Sequence, residues 1–221
     1  MSRPITRRDA LRLIAGSGAG LGLGFDAARG RSTAAEARKR PPNIVVFMTD
    51  DQRHDAMSVA GNRILRTPHM DRIAQDGTRF SEAFVTNSLC GPSRASFLTG
   101  LYSHAHGYIS NADPPAFGHQ KGIQDATTYV DLLRQAGYRT AIVGKWHLRG
   151  SPADSGFDDW VVFPWQGDYF DPDMIANGVT VKMRGHSEDV VGDQALAWLR
   201  AAPPDRPFCL LVHFKAPHRS W

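Results

Sequence analysis

The run Asn43-Ile44-Val45-Val46-Phe47-Met48 is apolar after its first residue, rich in β-branched side chains, and stops abruptly at Thr49-Asp50-Asp51-Gln52. Such a run reads as a strand buried on both faces of a parallel sheet. A strand of that kind demands helices on both sides, and the chain has candidates. Thr67-Pro68 fits an N-cap followed by proline in the first helical turn, with Gly77 as the stop. A second helix is expected over residues 128–136, halted by Gly137 and followed by a strand over 139–143. A third is expected over 187–201, with Val191, Ala195, Trp198 and Leu199 on one face, before a strand at 208–214. The alternation predicts an α/β domain with a largely parallel central sheet flanked by helices. Residues 150–178, rich in Asp, Gly, Pro and aromatics, read as a long packed loop.

In sheets of this kind, sites gather beyond the carboxyl ends of the strands. Asp50-Asp51, Lys145-Trp146-His147 and Lys215-Ala216-Pro217-His218 each follow a predicted strand. Adjacent carboxylates at the end of a buried strand repel each other and resist desolvation, a conflict that a hard divalent cation resolves. Aspartates also cap turns, so the pair alone leaves metal binding open. His104 and His106, two apart in a polar loop, lack the further ligand spacing of a zinc site. His54, beside Asp55, reads as a surface residue, and His69, His119, His186 and His213 carry no usable signal.

A chain of 221 residues can hold one α/β domain with a sizeable core. Its formal charge of +4 belongs mainly to the first segment: residues 1–40 hold 9 of the 26 Lys/Arg and 3 of the 22 Asp/Glu, leaving 17 basic and 19 acidic residues beyond. Without a basic stripe on the folded part, nucleic acid is excluded as a partner. Two cysteines, Cys90 and Cys209, make no disulfide framework. Cys209 lies in the apolar run Pro207-Phe208-Cys209-Leu210-Leu211-Val212 and reads as a small core residue.

The chain opens with Thr6-Arg7-Arg8-Asp9-Ala10-Leu11-Arg12 and an uncharged, Gly/Ala-rich stretch over 13–25, the pattern of a twin-arginine export signal. That stretch is too short and Gly-rich for a stable membrane span, and Ala35-Glu36-Ala37 supplies a small-residue cleavage site. The expected organisation is a signal at 1–37, a linker at 38–42 and one folded domain over 43–221. The expected partner is the twin-arginine translocase, and the expected location a bacterial periplasm or the secreted fraction.

The segment Cys90-Gly91-Pro92-Ser93-Arg94-Ala95-Ser96-Phe97-Leu98-Thr99-Gly100 is the most specific in the chain. Pro92 is placed to open a helix whose N-terminus faces the cysteine. Cysteine-dependent phosphatases space their Arg six residues after the Cys, whereas Arg94 is four after Cys90, so that chemistry fails on spacing. The segment instead resembles the type I sulfatases of the alkaline-phosphatase-like superfamily. Their hallmark is a Cys or Ser, a Pro two residues on, an Arg four residues on, and a Leu-Thr-Gly ending, matched by Cys90, Pro92, Arg94 and Leu98-Thr99-Gly100. Gly144-Lys145-Trp146-His147 resembles a second family motif, and His218 matches the family histidine at the sulfate ester.

That resemblance implies an alkaline-phosphatase-like fold of which this chain is the N-terminal part, the smaller C-terminal subdomain being missing. It implies that a maturation enzyme oxidises Cys90 to formylglycine on the unfolded chain. It also implies a calcium ion on Asp50, Asp51 and residue 90. In the implied mechanism the aldehyde is hydrated, one hydroxyl attacks sulfur, and the other later expels sulfate. Arg94 would hold the hydrated group, Lys145 would contact it and the sulfate, His147 would hydrogen-bond it, and His218 would protonate the leaving oxygen. The later Asp-Asn pair and Lys that complete the family's site have no match here. The aromatic stretch Trp165-Gln166-Gly167-Asp168-Tyr169 resembles bacterial N-acetylglucosamine-6-sulfatase-like and arylsulfatase-like members, which implies a sulfated sugar or small molecule as substrate. Two alternatives stay open: a phosphodiesterase or phosphonate monoester hydrolase of the same superfamily, and an inactive fragment acting as a binding module.

Overall fold

The computed structural model describes residues 41–111 and 123–219. The expected export signal, residues 38–40 of the expected linker and His119 lie outside them. Six strands form one sheet in the order β1 (Ile44–Met48), β6 (Phe208–His213), β2 (Arg139–Lys145), β3 (Asp159–Phe163), β4 (Asp173–Ala176) and β5 (Val179–Lys182). The pairs β1–β6, β6–β2 and β2–β3 are parallel, and β4 and β5 extend the sheet as an antiparallel hairpin.

β2 and β6 are the centre, paired from Arg139 with Phe208 to Gly144 with His213. Alternation along β6 divides the core. Leu210 and Val212 pack with Ala141, Val143, Val190, Val191 and Ala195 beneath helix α5 (Ser187–Arg200). Cys209 and Leu211 face the opposite cluster, with Ile142, Ala95 and Leu98 of α2 (Cys90–Thr99) and Val130 of α4 (Tyr129–Gln135). The remaining α-helices among the described residues are α1 (Pro68–Asp76) and the single turn α3 (Ser103–His106). Leu211 is fully buried in this centre, so Leu211→Ala would cost about 2–5 kcal/mol.

The helix signals act through specific contacts. Thr128 and Asp131 form a reciprocal capping box that starts α4. Thr67 precedes Pro68 at the start of α1, but its hydroxyl donates to the Asp71 side chain and accepts from Ser58 N instead of capping the helix backbone.

Two expectations are corrected. β1 is an edge strand among the described residues: Ile44, Val46 and Met48 are half-buried, while Val45 and Phe47 are 41% and 60% exposed. On that second face Phe47 stacks on Phe214 with ring centroids 6.3 Å apart. Residues 150–178 are not one loop, because they contain β3 and β4. Trp160-Val161-Val162-Phe163 has strong strand formers, and pairing with β2 from Ala141–Asp159 to Lys145–Phe163 outweighs the turn-forming residues around it.

Candidate active site

All four parallel strands end on the same side, and the polar clusters follow them there. Asp50 and Asp51 follow β1, Lys145 and His147 close β2, Gln166 follows β3, and Lys215 and His218 follow β6. Pairing continues past the strand ends: Phe214 N donates to Met48 O at 2.8 Å and Asp50 N to Ala216 O at 3.0 Å, which brings Asp50 beside the loop carrying His218. Asp51, His147 and Trp165, each just beyond a different strand, have φ of 60°, 51° and 53°. Left-handed backbone at non-glycine residues is held only where the surroundings over-determine it, and it concentrates at functional sites.

α2 supplies two further groups. Cys90 is itself the first helical residue, and Arg94 one turn later lies on the same face, as i,i+4 spacing requires. Gly91 admits no side chain: a Cβ there would meet Tyr108 Cε1 at 2.5 Å and Asn111 Oδ1 at 2.7 Å. Its N–H, one of the free donors of the first turn, donates to that same Asn111 oxygen at 2.9 Å. Gly144 is equally constrained, with φ of 102° and His213 O only 1.9 Å from where a Cβ would stand.

Lys145 is fully buried and its ammonium is the hub. Nζ donates to Asp50 Oδ2 and to Gln166 Oε1 and lies 3.9 Å from Cys90 Sγ. Arg94, 2% exposed, has Nη2 at 3.7 Å from Asp50 Oδ1, while Nη1 donates to Lys145 O at 3.0 Å and meets His213 Nδ1 at 2.8 Å. Two buried cations thus flank one buried carboxylate, the compensation that desolvated charge requires. Burial pushes the Cys90 thiol upward against the opposing pull of Lys145, so the unmodified side chain is a poor nucleophile. Burial, then Lys145 and Arg94, lower the His147 pKa to about 4, leaving a neutral imidazole whose Nδ1 has no partner among the described residues.

His218 Nε2 stands 3.6 Å from Asp51 Oδ2, and Tyr169 OH donates to His218 O at 2.6 Å. Glu188 Oε1 accepts from Lys215 N at 3.2 Å and Ala216 N at 3.0 Å, tying the loop to the start of α5. Asp50, Cys90, Arg94, Lys145 and His218 therefore converge. The more exposed Asp51 carboxylate stands at the rim of this group, 3.6 Å from His218 Nε2 and 3.9 Å from Arg219 Nη1. A cavity of about 730 Å³ opens over Asp50, Asp51, Cys90 and Arg94, and a second of about 580 Å³ lies between His147, Trp146, Trp160 and Trp165. Asp50 and Asp51 offer hard oxygen donors that suit one side of a calcium shell, and an oxygen in place of Cys90 Sγ would add to it.

Sequence reasoning missed His213, Gln166 and Glu188 as neighbours of the site. Gln166 was findable once β3 was recognised, since it follows that strand. His106 hydrogen-bonds with Ser96 Oγ at 3.0 Å and accepts from Tyr108 N, a structural role within the α2–α3 turn.

The arrangement has counterparts. The sulfatase family model matches residues 42–221. The N-acetylglucosamine-6-O-sulfatase of Bacteroides thetaiotaomicron is 44% identical over 189 residues, covering 84% of this chain and 32% of that protein. Human N-acetylgalactosamine-6-sulfatase is 38% identical over 140 residues, covering 59% and 27%. Among solved structures, BT4656 in complex with its substrate D-glucosamine-2-N,6-O-disulfate superposes with a TM-score of 0.75 at 43% identity, covering 82% of this chain and 36% of that one. Ps i-CgsB in complex with k-i-k-neocarrahexaose gives a TM-score of 0.74 at 29% identity, covering 81% and 46%. The chain spans about a third or less of the length of the B. thetaiotaomicron and human relatives. A family match over nearly all of the described domain, with the same fold at substantial identity, means that this chain belongs to the sulfatase family.

Proposed function

We propose that residues 43–221 form the N-terminal part of a sulfatase catalytic domain that hydrolyses sulfate esters of sugars. The observation that carries this reading is the convergence of Asp50, Cys90, Arg94, Lys145 and His218 at the carboxyl ends of parallel strands, with Lys145 Nζ 3.9 Å from Cys90 Sγ. An aldehyde made from Cys90 would supply, as its hydrate, an oxygen nucleophile whose sulfate ester can be released again. Calcium on Asp50, Asp51 and an oxygen of residue 90 would supply neutralising charge for the sulfate group.

The chain's own residues do the rest. Lys145 and Arg94, held by buried partners, present fixed positive charge to the sulfate ester monoanion without reorganising. His147, neutral at pH 7, would offer its imidazole as a hydrogen-bond partner to the hydrated group. His218, anchored by Tyr169 through its carbonyl, holds the proton that goes to the departing alcohol oxygen. The aromatic walls beside His147 offer flat apolar faces suited to a sugar ring. The sugar assignment draws on the sulfated sugars that the relatives act on, a 6-O-sulfated glucosamine among them.

Arg7-Arg8 and the apolar stretch after them support export of the folded protein to the periplasm or beyond, after cytosolic maturation of Cys90. Changing both arginines to lysine should retain the protein in the cytoplasm, and an unaffected periplasmic fraction would remove this part of the reading. The catalytic proposal is tested with a version extended to the length of its relatives and co-expressed with a maturation enzyme. Turnover of N-acetylglucosamine 6-sulfate, faster than that of the matching phosphate ester, is expected. Faster phosphate ester turnover would move the assignment to a phosphohydrolase.

A further inference from the structure

His218 stands on the loop after β6, and neighbouring elements hold that loop by its main chain. Asp50 N donates to Ala216 O at 3.0 Å, His218 N to Lys215 O at 3.0 Å, and Tyr169 OH to His218 O at 2.6 Å. The N–H groups of Lys215 and Ala216 both donate to Glu188 Oε1, at 3.2 Å and 3.0 Å, and have no other acceptor among the described residues. A carboxylate oxygen that accepts from two successive main-chain N–H groups makes charge-assisted bonds and fixes the direction of the chain between them. We propose that Glu188 is a positioning residue for His218: it holds the loop so that the imidazole meets the departing oxygen of the sulfate ester.

Glu188 is itself fixed. It lies in the first turn of α5, where free N–H groups favour negative charge. Ser187, fully buried, donates from its N to Tyr169 O at 2.7 Å and from its hydroxyl to Glu188 Oε1 at 3.2 Å. Tyr169 thus joins the start of α5 to His218, and Glu188 closes the ring of contacts. Glu188 Oε2 is buried with no partner among the described residues, so a single oxygen carries the anchoring. Burial of an oxygen without a partner costs stability, and such groups gather where geometry serves function. When the ester bond breaks, the S–O electron pair goes to the alcohol oxygen and the proton it needs comes from His218. That transfer demands hydrogen-bond reach, which a loop free to drift would lose. The catalytic consequence rests on the reading of His218 as that proton donor, whereas the grip of Glu188 on the loop does not.

In the 221-residue chain, the amides of Lys215 and Ala216 should be protected from hydrogen exchange, and Glu188→Ala should speed both by roughly tenfold or more. In the extended, matured protein, Glu188→Ala should lower kcat on N-acetylglucosamine 6-sulfate by roughly tenfold or more while KM stays within about twofold. Glu188→Gln, which keeps an acceptor oxygen, should recover most of the loss. A merely structural contact would reduce the amount of folded enzyme and leave kcat per folded molecule unchanged. Fast exchange at both amides in the unmutated chain, a readout that needs no variant, would overturn the proposal. So would an unchanged kcat per folded molecule in Glu188→Ala, or a Glu188→Gln enzyme no better than the Ala variant. An unmutated enzyme without sulfate ester turnover would sink the proposed reaction instead, and the exchange measurement would still decide whether Glu188 holds the loop.

Discussion

Arg94 Nη1 lies 2.8 Å from His213 Nδ1, and Lys145 O stands 3.2 Å from the same nitrogen; a guanidinium can only donate, so the shorter contact makes Nδ1 the acceptor. The proton of His213 is therefore on Nε2, an atom buried without a partner among the described residues. Burial, then the charge of Arg94, hold the His213 pKa well below its ordinary value, consistent with a permanently neutral ring. A buried donor left unsatisfied costs about 1–3 kcal/mol, so this histidine sacrifices stability to fix the guanidinium.

The Nε2–H tautomer of His213 is expected in 15N NMR of the imidazole nitrogens. His213→Asn, which keeps an acceptor oxygen, should destabilise the protein less than His213→Ala, which leaves a cavity and an Arg94 donor unpaired. A ring protonated on Nδ1 would contradict the assignment.

The Lys145–Asp50 pair lies inside the protein, with side chains 0% and 6% exposed. Removing one partner leaves a buried charge, at a cost of about 3–5 kcal/mol. Asp50→Ala should shift urea unfolding by that order, and adding Lys145→Met should restore part of the loss. A double variant as unstable as the sum of the single ones would show that the two side chains are not coupled.

His147 sets a pH dependence. Its folded pKa of about 4 is below the ordinary 6.5, so between these values the unfolded chain binds the proton first. Its contribution is fully present above pH 6.5, is lost progressively as pH falls toward 4, and changes no further below. Subtracting the stability curve of His147→Gln from that of the parent should isolate this window. A flat difference from pH 7 to pH 4 would place the residue in a solvated environment.

Cys90 is expected to be an aldehyde in protein made with a maturation enzyme. The mass of its peptide should show loss of the sulfur, and the group should react with hydrazide probes. Pro92→Ala or Arg94→Ala should leave the thiol in place, because both belong to the motif that such an enzyme would read. Full sulfatase turnover by a chain with an alkylatable Cys90 would refute the chemistry.

The strands β2 and β6 and the helices α4 and α5 were legible because their signals are local: apolar periodicity, a capping Thr128, a stop at Gly137. The same holds for Cys90 and Arg94, whose four-residue spacing fixes a shared helix face in any context where the helix forms. The sequence alone also carried the family resemblance, and with it the expected roles of Lys145, His147 and His218. What it could not determine was which strand lies at an edge. β1 has the composition of a central strand, yet among the described residues it pairs only with β6, and Phe47 is left exposed. Nor could it reveal β3, whose short run depends on pairing with β2 for its stability. His213 and Arg94 are 119 residues apart, and they meet because the parallel register of β6 points His213 at the face that α2 covers. Periodicity and caps act over one or two turns of chain, whereas strand order and register are settled by the packing of the whole sheet, and that is why only the tertiary structure decided them.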